Sequence, residues 1–198
     1  MSANRDRVSS RRYDAVVVGS GPNGLAAAVT VAREGFSVLE LEANEQVGGG
    51  VRSAQLTLPG FVHDVCSAVF PLGVGSPFFR SLPLADHGVR WIHPPAPLAH
   101  PFGDGTAALL ERSLETTGRS IEPDAAPYRR LMEPLARDWE KLMDDVLAPV
   151  HLPRHPWVLA RFGRSAVRSA VGLARSRFRG PRARALFAGV AAHSTQPL

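Results

Sequence analysis

The chain has 198 residues, 44% hydrophobic and 21% charged, with a net charge of +5. That composition excludes a wholly disordered chain and suits one domain or one and a half. Its single cysteine, Cys66, excludes an internal disulfide and any multi-cysteine metal site, and no apolar run is long enough to span a bilayer.

Residues 1–12 are polar and read as a flexible leader. The Arg11-Arg12 pair has the look of a twin-arginine export signal. The apolar run behind it is too short for one and is broken at once by glycine, so a cytoplasmic protein is expected. Residues 15–18, Ala-Val-Val-Val, read as a buried parallel strand closed by a glycine-rich turn. Residues 22–34 open with Pro22 and stop before Gly35, which punctuates a helix, and 36–41 form a second strand. Strand, glycine turn, helix and strand make a βαβ unit. Farther on, 89–92, 98–102 and 106–110 are strand candidates in a Pro- and Gly-rich stretch. Helices are expected near 114–117 and over 125–147, 155–178 and 182–192.

Gly19-Ser20-Gly21-Pro22-Asn23-Gly24 satisfies G-x-G-x-x-G between a strand and a helix. Gly19 permits the tight turn, Gly21 lets a diphosphate approach the backbone, and Gly24 lets helix and strand pack closely. The first-turn amides of the helix then face the phosphates. Glu42 ends the second strand, eighteen residues beyond Gly24, where a carboxylate accepts from a ribose hydroxyl and disfavours a 2′-phosphate. Glu40 lies inside that strand on the same face. A carboxylate buried there without a partner is costly, and its alternative is to reach toward the ribose.

NAD and FAD sites share these features. The continuation through Gly48-Gly49-Gly50, Arg52 and Ser53 resembles the FAD-dependent amine oxidase and phytoene desaturase superfamily. The resemblance extends through Pro59-Gly60-Phe61-Val62-His63-Asp64 and through 64–69. More specifically, 64–69 and 186–194 are similar to the bacterial phytoene desaturase-like subgroup, which includes the pyridine nucleotide-disulfide oxidoreductase domain-containing protein 2 type, and the resemblance covers nearly the whole chain after residue 12. It implies FAD as cofactor, with Gly48 and Gly49 at the diphosphate and Arg52 near the phosphates or flavin. The implied activity is hydride removal from a small organic or lipophilic substrate. Phe70-Pro71 departs from the His-Pro usual in relatives. Relatives are more than twice this length, so the resemblance casts the chain as an N-terminal portion. On that reading the α/β fold has a leader at 1–12, an FAD-binding βαβ unit at 13–76 and a partial, largely helical substrate domain at 77–198. It also implies weak flavin retention and no turnover by this portion alone.

An NAD-linked dehydrogenase and a non-catalytic nucleotide- or membrane-binding fragment are the rival readings. No catalytic base is assigned, and no Ser-His-Asp constellation stands out. Cys66 reads as a small buried thiol. His151 and His155 have i, i+4 spacing, but Pro153 and Pro156 argue against a helical metal pair, so no metal is expected. The resemblance puts His63 and His193 at a pocket wall; the other reading of each is a satisfied structural histidine. Arg161, Arg164, Arg168, Arg175 and Arg179 recur at helical spacing as a basic stripe along the 155–178 helix and one residue past it, and no Asp or Glu follows Asp145. The stripe reads as an ordinary surface, or as a peripheral contact with anionic membrane. Nucleic acid is not expected, because no recognition fold surrounds it.

Overall fold

The computed structural model describes residues 12–194, and the leader expected at 1–12 lies almost wholly outside them. The chain divides into two compact units at residues 73 and 74.

In the first unit, β1 (Ala15–Val18) leads through the glycine turn into α1 (Pro22–Arg33) and then β2 (Val38–Leu41). The strands pair in parallel, Ala15 with Val38 through Val18 with Leu41. The Asp14 carboxylate fixes their start, accepting from the Ser37 amide at 2.8 Å and the Ser37 hydroxyl at 2.6 Å. Gly35, at φ +88°, turns the chain out of α1, and the Phe36 amide donates to the Val31 carbonyl, so β2 begins two residues later than expected. β1 is not the doubly buried strand read from its sequence. Ala15 and Val17 are half-buried, whereas Val16 is 56% and Val18 82% exposed. The reason is that α1 covers one face of the two-stranded ladder, and no described element covers the other.

A 3₁₀ turn at Gly49–Val51 follows, then the short antiparallel pair β3 (Ser53–Ala54) and β4 (His63–Asp64). Cys66 is exposed, against the expectation of a buried thiol. The chain around it runs along the surface, with Phe61, Val62, Val65 and Val69 also exposed.

α2 (Pro71–Gly75) lies at the boundary, and the second unit continues with α3 (Pro77–Arg80). The strand expected at 89–92 does not form. Gly88, at φ +83°, turns the Val89 amide back onto the Leu84 carbonyl, and Pro94-Pro95 supply no donors for a ladder. β5 (Leu98–Pro101) and β6 (Ala107–Leu110) form a hairpin. α4 (Leu114–Ser120) is capped by the Ser113 hydroxyl, which accepts from the Glu115 and Thr116 amides. Two α4 hydroxyls then secure the far edge of β6. Thr117 Oγ1 accepts from the Glu111 amide, and Ser120 Oγ from the Leu109 amide, each at 2.9 Å.

Both long helices expected beyond residue 120 are divided. The 125–147 helix becomes α5 (Ala125–Arg137) and α6 (Trp139–Val146). Pro134 removes one helical donor, and Asp138 leaves helical geometry while its carboxylate gathers Arg137, Lys141 and Arg161. The 155–178 helix becomes α7 (Pro156–Ala166) and α8 (Ala170–Arg177). Ser169 is extended, and its hydroxyl accepts from the Gly172 amide at 3.0 Å, starting a new helix where periodicity suggested continuity. The basic stripe is thereby dispersed. Arg161 and Arg164 lie on α7, Arg175 on α8, and Arg168 between them donates to the Ser176 hydroxyl. The basic residues expected on one continuous helix are therefore shared between two helices and the turn joining them. Among the described residues no helix is long and apolar enough to cross a membrane.

α9 (Pro181–Ala191) completes the unit, with a 3₁₀ turn at Ala192–Ser194. Ala108, Ile121, Tyr128, Ala174, Phe178, Ala183 and Leu186 form its buried core. Phe178 ends α8 in extended geometry so that its ring, 1% exposed, packs 5.8 Å from that of Phe187. Burying one such side chain stabilises by about 2–3 kcal/mol. The buried Asp124 carboxylate receives the Arg179 amide at 2.9 Å and the Gly180 amide at 2.6 Å, docking the start of α9.

Candidate functional site

The site is built where β1 runs into α1. The Gly19 amide donates to the Leu41 carbonyl at 2.7 Å, carrying the strand pairing one step into the turn, and Gly19 adopts φ +96°. Gly24 has no room for a side chain, since a Cβ there would lie 1.9 Å from the Gly19 carbonyl oxygen. At Gly21 the situation is reversed: no atom stands within 4 Å of an added Cβ. Helix and turn are thus in backbone contact at one glycine, while another opens to solvent at the helix N-terminus. Pro22 occupies the first turn of α1 without wasting a donor, and Asn23 and Gly24 follow it there.

The second glycine group closes over the first. The Gly48 amide donates to the Ser20 carbonyl at 2.9 Å, and a Cβ on Gly49 would sit 2.9 Å from Gly21 Cα. Gly48 and Gly49 take φ +113° and +53°. Arg52 folds back over this turn, its Nε donating to the Gly49 carbonyl at 2.8 Å, which brings a permanent positive charge beside the glycines. Residues more than twenty positions apart therefore form one cradle of backbone amides and small residues.

Glu42 lies at its edge. Its Oε2 accepts from the Ser20 amide at 2.8 Å and the Ser20 hydroxyl at 2.7 Å. Its Oε1 accepts from the Asn44 amide at 2.9 Å and from Asn44 Nδ2 at 2.8 Å. These donors hold the carboxyl far below the ordinary glutamate range, the Ser20 amide foremost and the Asn44 amide next. Ser20 is completely buried. The ten residues expected at a nucleotide, Gly19–Gly24, Glu42, Gly48, Gly49 and Arg52, thus lie around one loop. Asn44 is an addition that the sequence did not single out. Its signal was a short amide two residues beyond the carboxylate, placed to turn back on it.

Other candidates lie outside this loop. Glu40 is level with Val17 in the ladder, and its Oε1 is buried with no hydrogen-bond partner among the described residues. His63 Nε2 pairs with the Thr57 hydroxyl at 2.7 Å, and His193 Nδ1 with the Gly189 carbonyl at 3.0 Å. His151 and the His155 amide both bind the Asp145 carboxylate, in a loop rather than on a helix face. Among the described residues no group of three metal-ligating side chains occurs.

Residues 17–82 match the family model of the NAD(P)-binding Rossmann-like domain. The match agrees with the dinucleotide-binding reading drawn from the glycine motif and Glu42. One of the polypeptides of limonene dehydrogenase from Castellaniella defragrans is 27% identical over 143 residues, 70% of this chain and 25% of that protein. Pyridine nucleotide-disulfide oxidoreductase domain-containing protein 2 of Rattus norvegicus is 32% identical over 109 residues, 55% of this chain and 17% of its own. Digeranylgeranylglycerophospholipid reductase 1 of Methanococcoides burtonii is 52% identical over 44 residues, covering 22% of this chain and 11% of that protein. A solved putrescine oxidase covers 87% of this chain and 35% of its own at 19% identity, with a TM-score of 0.48. The chain thus spans a quarter or less of the length of these curated relatives.

Proposed function

We propose that the chain carries the ADP-binding part of an FAD-dependent oxidoreductase that removes hydride from a small organic or lipophilic substrate. One observation carries the reading: Gly21 stands open at the start of α1 while Gly49 closes over it and Glu42 waits, ionised, at the edge. The Gly21 opening admits a diphosphate, and the amides of Asn23, Gly24 and Gly49 are the donors proposed to meet it. Glu42 receives the adenosine ribose, and Arg52 adds positive charge near the phosphates. FAD, when bound, supplies the hydride acceptor; this chain's residues bind and orient its ADP half. The relatives' names, which include limonene and a digeranylgeranyl phospholipid, support a lipophilic substrate. The division at 13–76 and 77–198, cofactor unit followed by substrate unit, belongs to the same proposal.

Equilibrium titration of the full chain with FAD, FMN and NADP tests it. FAD is expected to bind more tightly than FMN, which lacks the adenosine, and than NADP, whose 2′-phosphate would meet the Glu42 charge. FMN binding as tightly as FAD overturns the assignment. NADP binding more tightly than FAD moves it to a nicotinamide enzyme.

A further inference from the structure

We infer that the Asn44 carboxamide is a displaceable stand-in for the ribose hydroxyl and so sets the strength of nucleotide binding at Glu42. The inference rests on the ribose role proposed for Glu42 and adds a specificity-determining residue to it.

A carboxylate offers about four acceptor positions, and at Glu42 protein donors fill four. Two come from Ser20, which is completely buried, so neither its amide nor its hydroxyl can leave without losing a partner that no water replaces. The third is the Asn44 amide, fixed by the turn that follows β2. The fourth, Asn44 Nδ2 at 2.8 Å, belongs to an exposed side chain that water can solvate once released. A ribose hydroxyl approaching Glu42 therefore has one position to take, and the group that yields it is the Asn44 carboxamide. Until then the same amide keeps the carboxylate satisfied and aimed.

Removing the competitor should strengthen binding, but only for a ligand that makes the exchange. The full chain and Asn44→Ala are titrated calorimetrically with ADP and with 2′,3′-dideoxy-ADP. The variant is expected to bind ADP about 2- to 10-fold more tightly, the range for one net hydrogen bond. Its affinity for the dideoxy ligand should stay within about 2-fold of the parent, because that ligand displaces nothing. A merely structural role for Asn44 would move both ligands together. In the parent chain, the Asn44 side-chain NH₂ resonances should shift on adding ADP and not on adding the dideoxy ligand, a readout that needs no variant to fold. Unchanged or weaker ADP binding by Asn44→Ala, or static NH₂ resonances at ADP saturation, overturns the inference. Equal affinity of Asn44→Ala for the two ligands, with the competitor gone, instead overturns the ribose role of Glu42, and the inference falls with it.

Discussion

Two glycines of the same loop should respond to the same substitution in opposite ways. In Gly24→Ala the new Cβ would lie 1.9 Å from the Gly19 carbonyl oxygen, and 3.0 Å is the closest such atoms normally come. The obstruction is backbone, not a flexible side-chain end, so α1 must withdraw from β1 by about 1 Å or more. Overpacking in a well-packed interior costs about 1–3 kcal/mol, and a backbone obstruction belongs at the upper end, about 3 kcal/mol. In Gly21→Ala the added methyl meets nothing within 4 Å, and φ of −69° suits any residue. Losing glycine's freedom in the unfolded chain gains about 0.4–1 kcal/mol, and alanine as N-cap gives back about 0.5–1 kcal/mol. Its stability should therefore stay within about 0.5 kcal/mol of the parent, while ADP binding falls because the methyl occupies the diphosphate opening. Urea unfolding monitored by backbone amide signals of residues 13–73 gives the first quantity, and calorimetric ADP titration the second. Wild-type stability for Gly24→Ala, or wild-type ADP affinity for Gly21→Ala, would refute the reasoning.

Three further outcomes are expected. Asp124→Ala should destabilise the second unit by about 2–3 kcal/mol, since the Arg179 and Gly180 amides lose a buried charged acceptor; chemical denaturation reads it directly. Glu40→Leu should stabilise the first unit by about 1 kcal/mol, because a buried carboxylate oxygen without a partner gives way to an apolar group on the face toward Val17; a lower unfolding midpoint would contradict this. The pH dependence has a defined sign. The Glu42 carboxyl is depressed below its ordinary 4.5, so its contribution is complete above that value and is lost only as pH falls toward the folded one. The Glu42 side-chain carboxyl carbon resonance should accordingly keep its ionised position from pH 7 down through 4.5, and a transition centred near 4.5 would show that the donor clamp is absent.

The glycine loop and its flanking elements were legible because each requirement is local. Gly19 needs a positive φ, Gly24 a missing side chain, and Pro22 a helix start. Gly48 and Gly49 were legible by resemblance, and the reason they lie together is three-dimensional: their turn closes onto Ser20 and Gly21. The periodicity that joined 155–178 into one helix did not register that Ser169 caps a new one, or that Phe178 leaves α8 to enter the core. Asp138 similarly divides 125–147 by gathering basic side chains from both directions along the chain. The exposure of Val16, Val18 and Cys66 was illegible for another reason. Residue type records how readily a side chain is buried, not whether any element lies over it. Asn44 escaped notice because its role depends on an accounting of the acceptors on Glu42, which needs coordinates.

The most direct test is an ADP titration of the ¹⁵N-labelled full chain, followed at every assigned backbone amide. ADP saturation should shift Ser20, Gly21, Asn23, Gly24, Glu42, Gly48 and Gly49 together, along a single binding curve. Saturable binding that leaves those seven amides unmoved, or no binding at millimolar ADP, would contradict the claim that this loop is a nucleotide site.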